Sequence, residues 1–290
     1  MYMSRVANFR PARVNNGSAP LSDDELRQFA PSIFAVEPHE SRSARFAHIP
    51  TFEVLAGLRK EGFVPVKVAQ GRSRVPGKAD FTKHMVRFRH VSTGDTQNRY
   101  VGQVSRETVL VNAHDGTSAY HLMAGLFRLE CLNGMVSQLA NHGELHIPHK
   151  GNVVDRVIEG SYTVLDDSAL ALDAAERWSG VALSRPEQML LADGARTVRL
   201  GDTEGKVDSP IQADAFLVPR RRTDASPDLW TTFNRIQENS IRGGLSAIGR
   251  DANNRRRTTT TREIKGIDQD VKLNRALWSL AAKMAELKGA

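Results

Sequence analysis

Three histidines stand at a spacing that can serve a metal ion. They are His142, His146 and His149 in 142-HGELHIPHK-150, four and three residues apart. On a helix that spacing would align three imidazoles on one face. Gly143 and Pro148 work against a helix there, and no cysteine or ordered acid completes the set, so no metal is assigned. The string 71-GRSRVPGKA-79 resembles a phosphate loop but fails as one. Five residues separate Gly71 from Gly77, Pro76 removes an amide the cradle needs, and Ala79 stands where a metal-holding hydroxyl belongs. The chain has no G-x-S-x-G element and no H-E-x-x-H pair. Asp166, Asp167 and Asp173 read as helix-start carboxylates rather than an acid/base pair. The single cysteine, Cys131, lies among large apolar residues and reads as a small buried hydrophobe. His84, His90 and Glu130 are what remains for an enzyme site built from scattered residues. The balance leans away from catalysis and implies no cofactor.

The cations carry more information. Arg72, Arg74, Lys78 and Lys83 punctuate one loop, and Arg87 and Arg89 follow on a strand. Two arginines two residues apart on a strand project from one face and could track a phosphate backbone. The competing reading is a charged edge strand that resists aggregation. A second set lies in 250-RDANNRRRTTTTRE-263, where Arg255, Arg256, Arg257 and Arg262 accompany four threonines. Guanidinium forks and hydroxyls both donate well to phosphate. Read as a loop, this stretch is solvated, in contact with phosphate, or a proteolytic or targeting signal.

Charge is segregated along the chain, whose net charge is +7. Residues 42–106 carry thirteen basic and four acidic residues, residues 107–219 eight and sixteen, and residues 220–290 fifteen and eight. Such blocks steer an anionic partner, or let copies of one chain meet head to tail. Aromatics make up only 6% of the chain, so contact with nucleic acid would be through phosphates rather than base stacking. No segment reaches the roughly 20 apolar residues of a membrane span. No signal-peptide run opens the sequence, and the single cysteine excludes an intrachain disulfide. The expected setting is cytoplasmic.

These residues need elements to hold them. Residues 1–30 are rich in Pro, Asn and Ser and read as mobile, although 21-LSDDELRQFAP-31 carries a capping-box helix start at Ser22 and Glu25. Residues 50–63 read as a helix with Val54, Leu55 and Leu58 on its apolar face. Four strands follow at 63–70, 84–91, 107–114 and 119–132, the last two joined by an Asp-Gly turn. After Gly134 a helical period takes over. Residues 152–180 form one helix, or two broken at Gly160, and 184–195 form another. Residues 226–244 form a helix with Ser226 as N-cap and Pro227 at its first position. Residues 268–290 carry a leucine and methionine stripe at helical spacing. The fold class is therefore α+β: a mostly antiparallel, hairpin-rich sheet packed by helices, with a helical C-terminal region. The expected organisation is a 1–30 segment, a 31–195 core, a loop-rich connection over 196–225, and a helical region over 226–290 that contains the basic loop 250–263.

The strings 30-APSIFAVEPHESRSARFAHIPT-51, 80-DFTKHMVRFRH-90, 108-TVLVNAHDGTSAY-120, 126-LFRLECLNGMV-136 and 229-LWTTFNRIQENSIRGG-244 together resemble the plasmid- and prophage-associated family called domain of unknown function 932. The resemblance covers nearly the whole chain. It implies a mobile-element setting, where DNA metabolism is the natural expectation, and it assigns no activity. The sheet followed by a long helix is also similar in architecture to the core of single-strand annealing proteins, without a shared motif. The expectation is a non-enzymatic DNA-binding protein, with single-strand binding or annealing in recombination as its role and homo-oligomers as its form. Its phosphate contacts would be Arg72, Arg74, Lys78, Lys83, Arg87, Arg89, Arg255, Arg256, Arg257 and Arg262. The alternatives are a protein-interaction module that engages an acidic host factor, and an enzyme with an unrecognised site.

Overall fold

The structure is a computed structural model that describes residues 20–40, 48–71, 73, 75–93, 104–128, 134–136, 145–148, 150–201, 209–250 and 254–290. It divides into two compact units, one of residues 1–171 with 265–267, the other of residues 172–264 with 268–290.

The first unit opens on α1 (Asp23–Phe29). Ser22 caps it, and Glu25 reaches back to complete the predicted box. A 3-10 turn over Pro31–Phe34 leads on to α2 (Thr51–Lys60). Gly62, at φ 86°, ends that helix in a conformation glycine adopts without strain. Then come β1 (Phe63–Gln70), β2 (His84–His90), β3 (Val104–Asn112) and β4 (Tyr120–Arg128). They pair in sequence order, all antiparallel. The alternation read from the sequence predicts these four strands. Two short strands, β5 (Gly134–Val136) and β6 (Leu145–Ile147), both pair with β4. They correct the expectation of helix after Gly134; three-residue strands are too short to show a period.

One face of the sheet buries Val86, Phe88, Leu110, Tyr120 and Leu122 with Val54 and Leu58 of α2 and Val153, Val157 and Val164 of α3 (Val153–Ser179). Helix α3 is a single helix, so Gly160 is no break. A side chain at Gly160 would come within 2.9 Å of Leu122 Cδ1 and 3.2 Å of Leu145 Cδ1, so glycine lets the helix lie close on the sheet. Asp166, Asp167 and Asp173 fall inside this helix and do not start one.

The second unit holds the end of α3 with α4 (Arg185–Leu200), α5 (Leu229–Arg242) and α6 (Ile267–Leu287). Its centre is aromatic. Trp178 of α3 lies 4.6 Å from Trp278 of α6 and 6.1 Å from Phe233 of α5, ring centre to ring centre. The N-cap of α5 is Asp228, whose side chain accepts from the Thr231 N–H. Ser226 and Pro227 precede it, because the Pro227 carbonyl is taken by Leu183 N–H in a short bridge. Residue 250 and residues 256–260 are strand rather than loop. They contribute to a two-stranded ribbon of β7 (Ser246–Arg250) and β8 (Arg256–Thr260). The threonine run supplies β-branched residues that suit a strand. At the tip, Asn254 takes φ 61°, which asparagine tolerates better than most residues.

Replacing Gly160 by Val should force Leu122 and Leu145 aside. The expected cost is about 1–3 kcal/mol, seen as a lower urea midpoint with unchanged slope.

Candidate functional site

At one end of the sheet a polar node is enclosed by apolar residues. Gln70 Nε2 donates to the Ala79 carbonyl at 2.7 Å, so its Oε1 faces Ser32 and accepts from Ser32 N and Ser32 Oγ. The Ser32 proton is thereby committed. His84 Nδ1, 2.9 Å from Ser32 Oγ and 3.3 Å from the Thr82 carbonyl, must be the donor to both. A neutral His84 then accepts at Nε2 from Thr51 Oγ1, 2.9 Å away. The lone pairs of Thr51 take Asn112 Nδ2 at 3.0 Å and His114 Nε2 at 3.1 Å. Tyr120 donates to the Ile49 carbonyl at 2.9 Å, and burial pushes its hydroxyl well above the usual phenol range. A hydroxyl donating to an imidazole is the arrangement of an activated nucleophile. Here, however, Thr51, His84 and His114 are each 0% exposed, so no substrate atom reaches them. The node instead ties α2, the 3-10 turn and four strand ends together. His90 sits at the other end of β2, where it meets the Glu61 carbonyl and Ser92 Oγ. The scattered trio is therefore not assembled, and Glu130 lies outside the described residues. His146 of β6 stands directly opposite His121 of β4, with ring centres 3.9 Å apart. His142 and His149 lie outside the described residues. No group of three or more metal-ligating side chains occurs among the described residues.

The sequence reading of Arg87 and Arg89 as outward phosphate contacts needs correcting. Both do share a face of β2, but they are 5% and 3% exposed. Both guanidiniums close on Glu107 of the neighbouring strand: Arg87 Nε on Oε2, and Arg89 Nε on Oε1 at 3.0 Å. Ser105 Oγ adds a third donor to Glu107. Burial pushes the Glu107 carboxyl up; the two guanidiniums outweigh that and hold it below its ordinary value. Lys78 pairs with Asp115 at 3.2 Å, and Lys83 is half-buried. Arg72 and Arg74 lie outside the described residues. The signal that was missed is Glu107 itself, an acid in an apolar strand that hairpin pairing sets beside β2.

The second basic set is on the surface. Arg255, Arg256, Arg257 and Arg262 are exposed, and so is Arg250. The ribbon is rooted in α5. Gly243, at φ 64°, lets the chain turn so tightly that an added Cβ would fall 2.6 Å from the Arg262 backbone. Gly244 N–H and Thr261 N–H then bond the Thr261 and Leu245 carbonyls. One ribbon face packs on Pro210, whose Cβ would lie 2.9 Å from a side chain at Gly249. The other face carries three rungs: Ser246 opposite Thr260, Ile248 opposite Thr258, and Arg250 opposite Arg256. Arg250 Nη1 reaches across the turn to the Asn254 carbonyl at 3.0 Å. The ten strand residues include three arginines and no carboxylate, and Glu263 follows the second strand.

Sequence reasoning also passed over the polar run inside α5. Asn234, Arg235, Gln237, Glu238, Asn239 and Ser240 are all buried. Asn239 Nδ2 holds the Phe216 and Val218 carbonyls, and its Oδ1 takes Arg220. Glu238 takes Arg221 and Arg242. The run fastens the irregular segment before α5, which has few backbone partners of its own.

Glu107→Gln should leave two guanidiniums inside the sheet with a neutral partner. The expected loss is about 3–5 kcal/mol in chemical denaturation. Because the folded carboxyl titrates below its unfolded value, its contribution is complete above the ordinary carboxylate range. It disappears as pH falls through the lowered value. The variant's deficit relative to wild type should therefore narrow in acid. Thr51→Val should cost roughly 3 kcal/mol by stranding Asn112, His84 and His114 around one methyl, and Thr51→Ser distinctly less.

Residues 38–278 match the family described as Domain of unknown function (DUF932). Two similar proteins of Escherichia coli (strain K12) are UPF0380 protein YafZ and UPF0380 protein YfjQ. Each is 43% identical over 280 residues, spanning 96% of this chain and 97% of the relative. No solved structure matches the chain. No helix among the described residues is long and apolar enough to cross a membrane. From the length and identity of these matches, the chain belongs to the DUF932 family.

Proposed function

We propose that this protein binds DNA through its phosphate backbone, in single-stranded form, with the β7–β8 ribbon as the contact and without catalysing a reaction. The observation that carries this reading is the Arg250–Arg256 rung. Directly opposed like charges on adjacent strands repel, so the rung costs free energy in the unliganded protein. An anion lying between the two guanidiniums turns that repulsion into two charge-assisted contacts. Arg255 and Arg262 are exposed nearby, and the exposed Arg257, opposite Gly249, adds positive charge from the ribbon's other face. Hydroxyls of Ser246, Thr258 and Thr260 supply neutral donors along the same face. The buried Arg87 and Arg89 have no part in it. The segregated charge blocks support assembly into homo-oligomers, the form suited to annealing strands.

Binding of labelled single- and double-stranded DNA should be measured across a salt series. Affinity should fall steeply, with a log–log slope of about −0.7 per phosphate neutralised on single strands. Arg250→Glu, Arg256→Glu and Arg257→Glu combined should abolish binding, while Lys283→Glu, a charge reversal at an exposed position of α6, should not. Negligible affinity of the wild type even at low salt sinks the proposal, and intact binding by the triple variant shows that the contact lies elsewhere.

A further inference from the structure

The middle rung of the ribbon sits badly with a surface that touches phosphates alone. Ile248 is 56% exposed, between a rung of two hydroxyls and a rung of two arginines. Its outward direction is fixed, because its neighbour Gly249 has no room for a side chain against Pro210. Rungs on one face follow each other at about 7 Å, two residues along a strand. That is comparable to the step between nucleotides on an extended strand. A phosphate held at Arg250 and Arg256 therefore delivers the adjoining sugar and base onto Ile248 and Thr258. In a single strand an unstacked base presents its face, and an aliphatic side chain laid on that face removes apolar area from water. A paired and stacked base offers no such face.

Resting on the phosphate-binding reading above, we infer that Ile248 is the base-contacting residue of the ribbon and makes it prefer unpaired strands. The test compares an oligothymidylate with an abasic deoxyribose-phosphate strand of the same length, using the full chain. Wild type should bind the base-bearing strand roughly three- to tenfold more tightly, from the apolar area covered. Ile248→Thr keeps a β-branched residue on an exposed strand and should leave the thermal midpoint unchanged. It should bring the ratio close to one without altering affinity for the abasic strand. Equal binding of both strands by wild type overturns the inference, as does an Ile248→Thr protein that keeps the preference. Failure to bind either strand at low salt overturns the phosphate reading beneath it.

Discussion

The pairing of Glu107 with Arg87 and Arg89 constrains the sheet more than any other interaction described. Three charges inside a sheet are tolerable only together, since each alone would face a desolvation cost of several kcal/mol. The pairing also fixes register. Slipping β2 against β3 by one residue would turn Arg87 and Arg89 into the face that holds Val86 and Phe88, and would point those apolar residues away from α2 and α3. The polar node around Thr51 acts in the same way at the sheet's end. Its hydroxyl has one proton and two lone pairs, and they join α2 to His84 of β2 and to Asn112 and His114 at the end of β3. Buried polarity in this unit therefore specifies the arrangement more than it adds stability.

That constraint also decides which cations are available. Arginines on a strand look alike in a sequence, whether they face water or a carboxylate. What separates Arg87 from Arg256 is the opposite strand: a glutamate beside the first, another arginine across from the second. Periodicity made β1 to β4, α2 and α6 legible, because each carries an apolar face repeated at its own period. It could not show β5 and β6, which are too short, or the partners across strands, which depend on register. The ribbon was hidden for a related reason. Its outward face is mostly polar and its other face has only Ala247 and Gly249 as non-polar residues, so no hydrophobic alternation announces it, and only the threonine run hinted at a strand. Gly160 left one helix or two equally open in the sequence, since a close helix–sheet approach and a helix break use the same residue.

The polar run of α5 teaches a similar lesson. A stretch such as Asn234 to Ser240 looks solvent-facing by composition, yet every member is buried. The reason lies in what it covers. The chain before α5 has little regular structure, so its carbonyls need side-chain donors, and Asn239 supplies two of them. Arg235 is buried on the same helix, and desolvation lowers its pKa; its Nη2 is placed among Thr232, Gln188 and the Ser226 carbonyl. A conspicuous polar string in this family therefore has a structural account that needs no ligand.

The ribbon has no such account. The outward Arg250 and Arg256 cover no core, and Arg250 bonds to the Asn254 carbonyl. The ribbon's root is nevertheless built with care: two glycines at positive φ, a threonine hydroxyl bonded to Leu245 N–H, and Arg199 bonded to the Arg262 carbonyl. A stiff root beneath a mutually repelling tip spends stability where packing gains nothing. Such local conflict is expected where a surface is shaped for a partner rather than for its own fold.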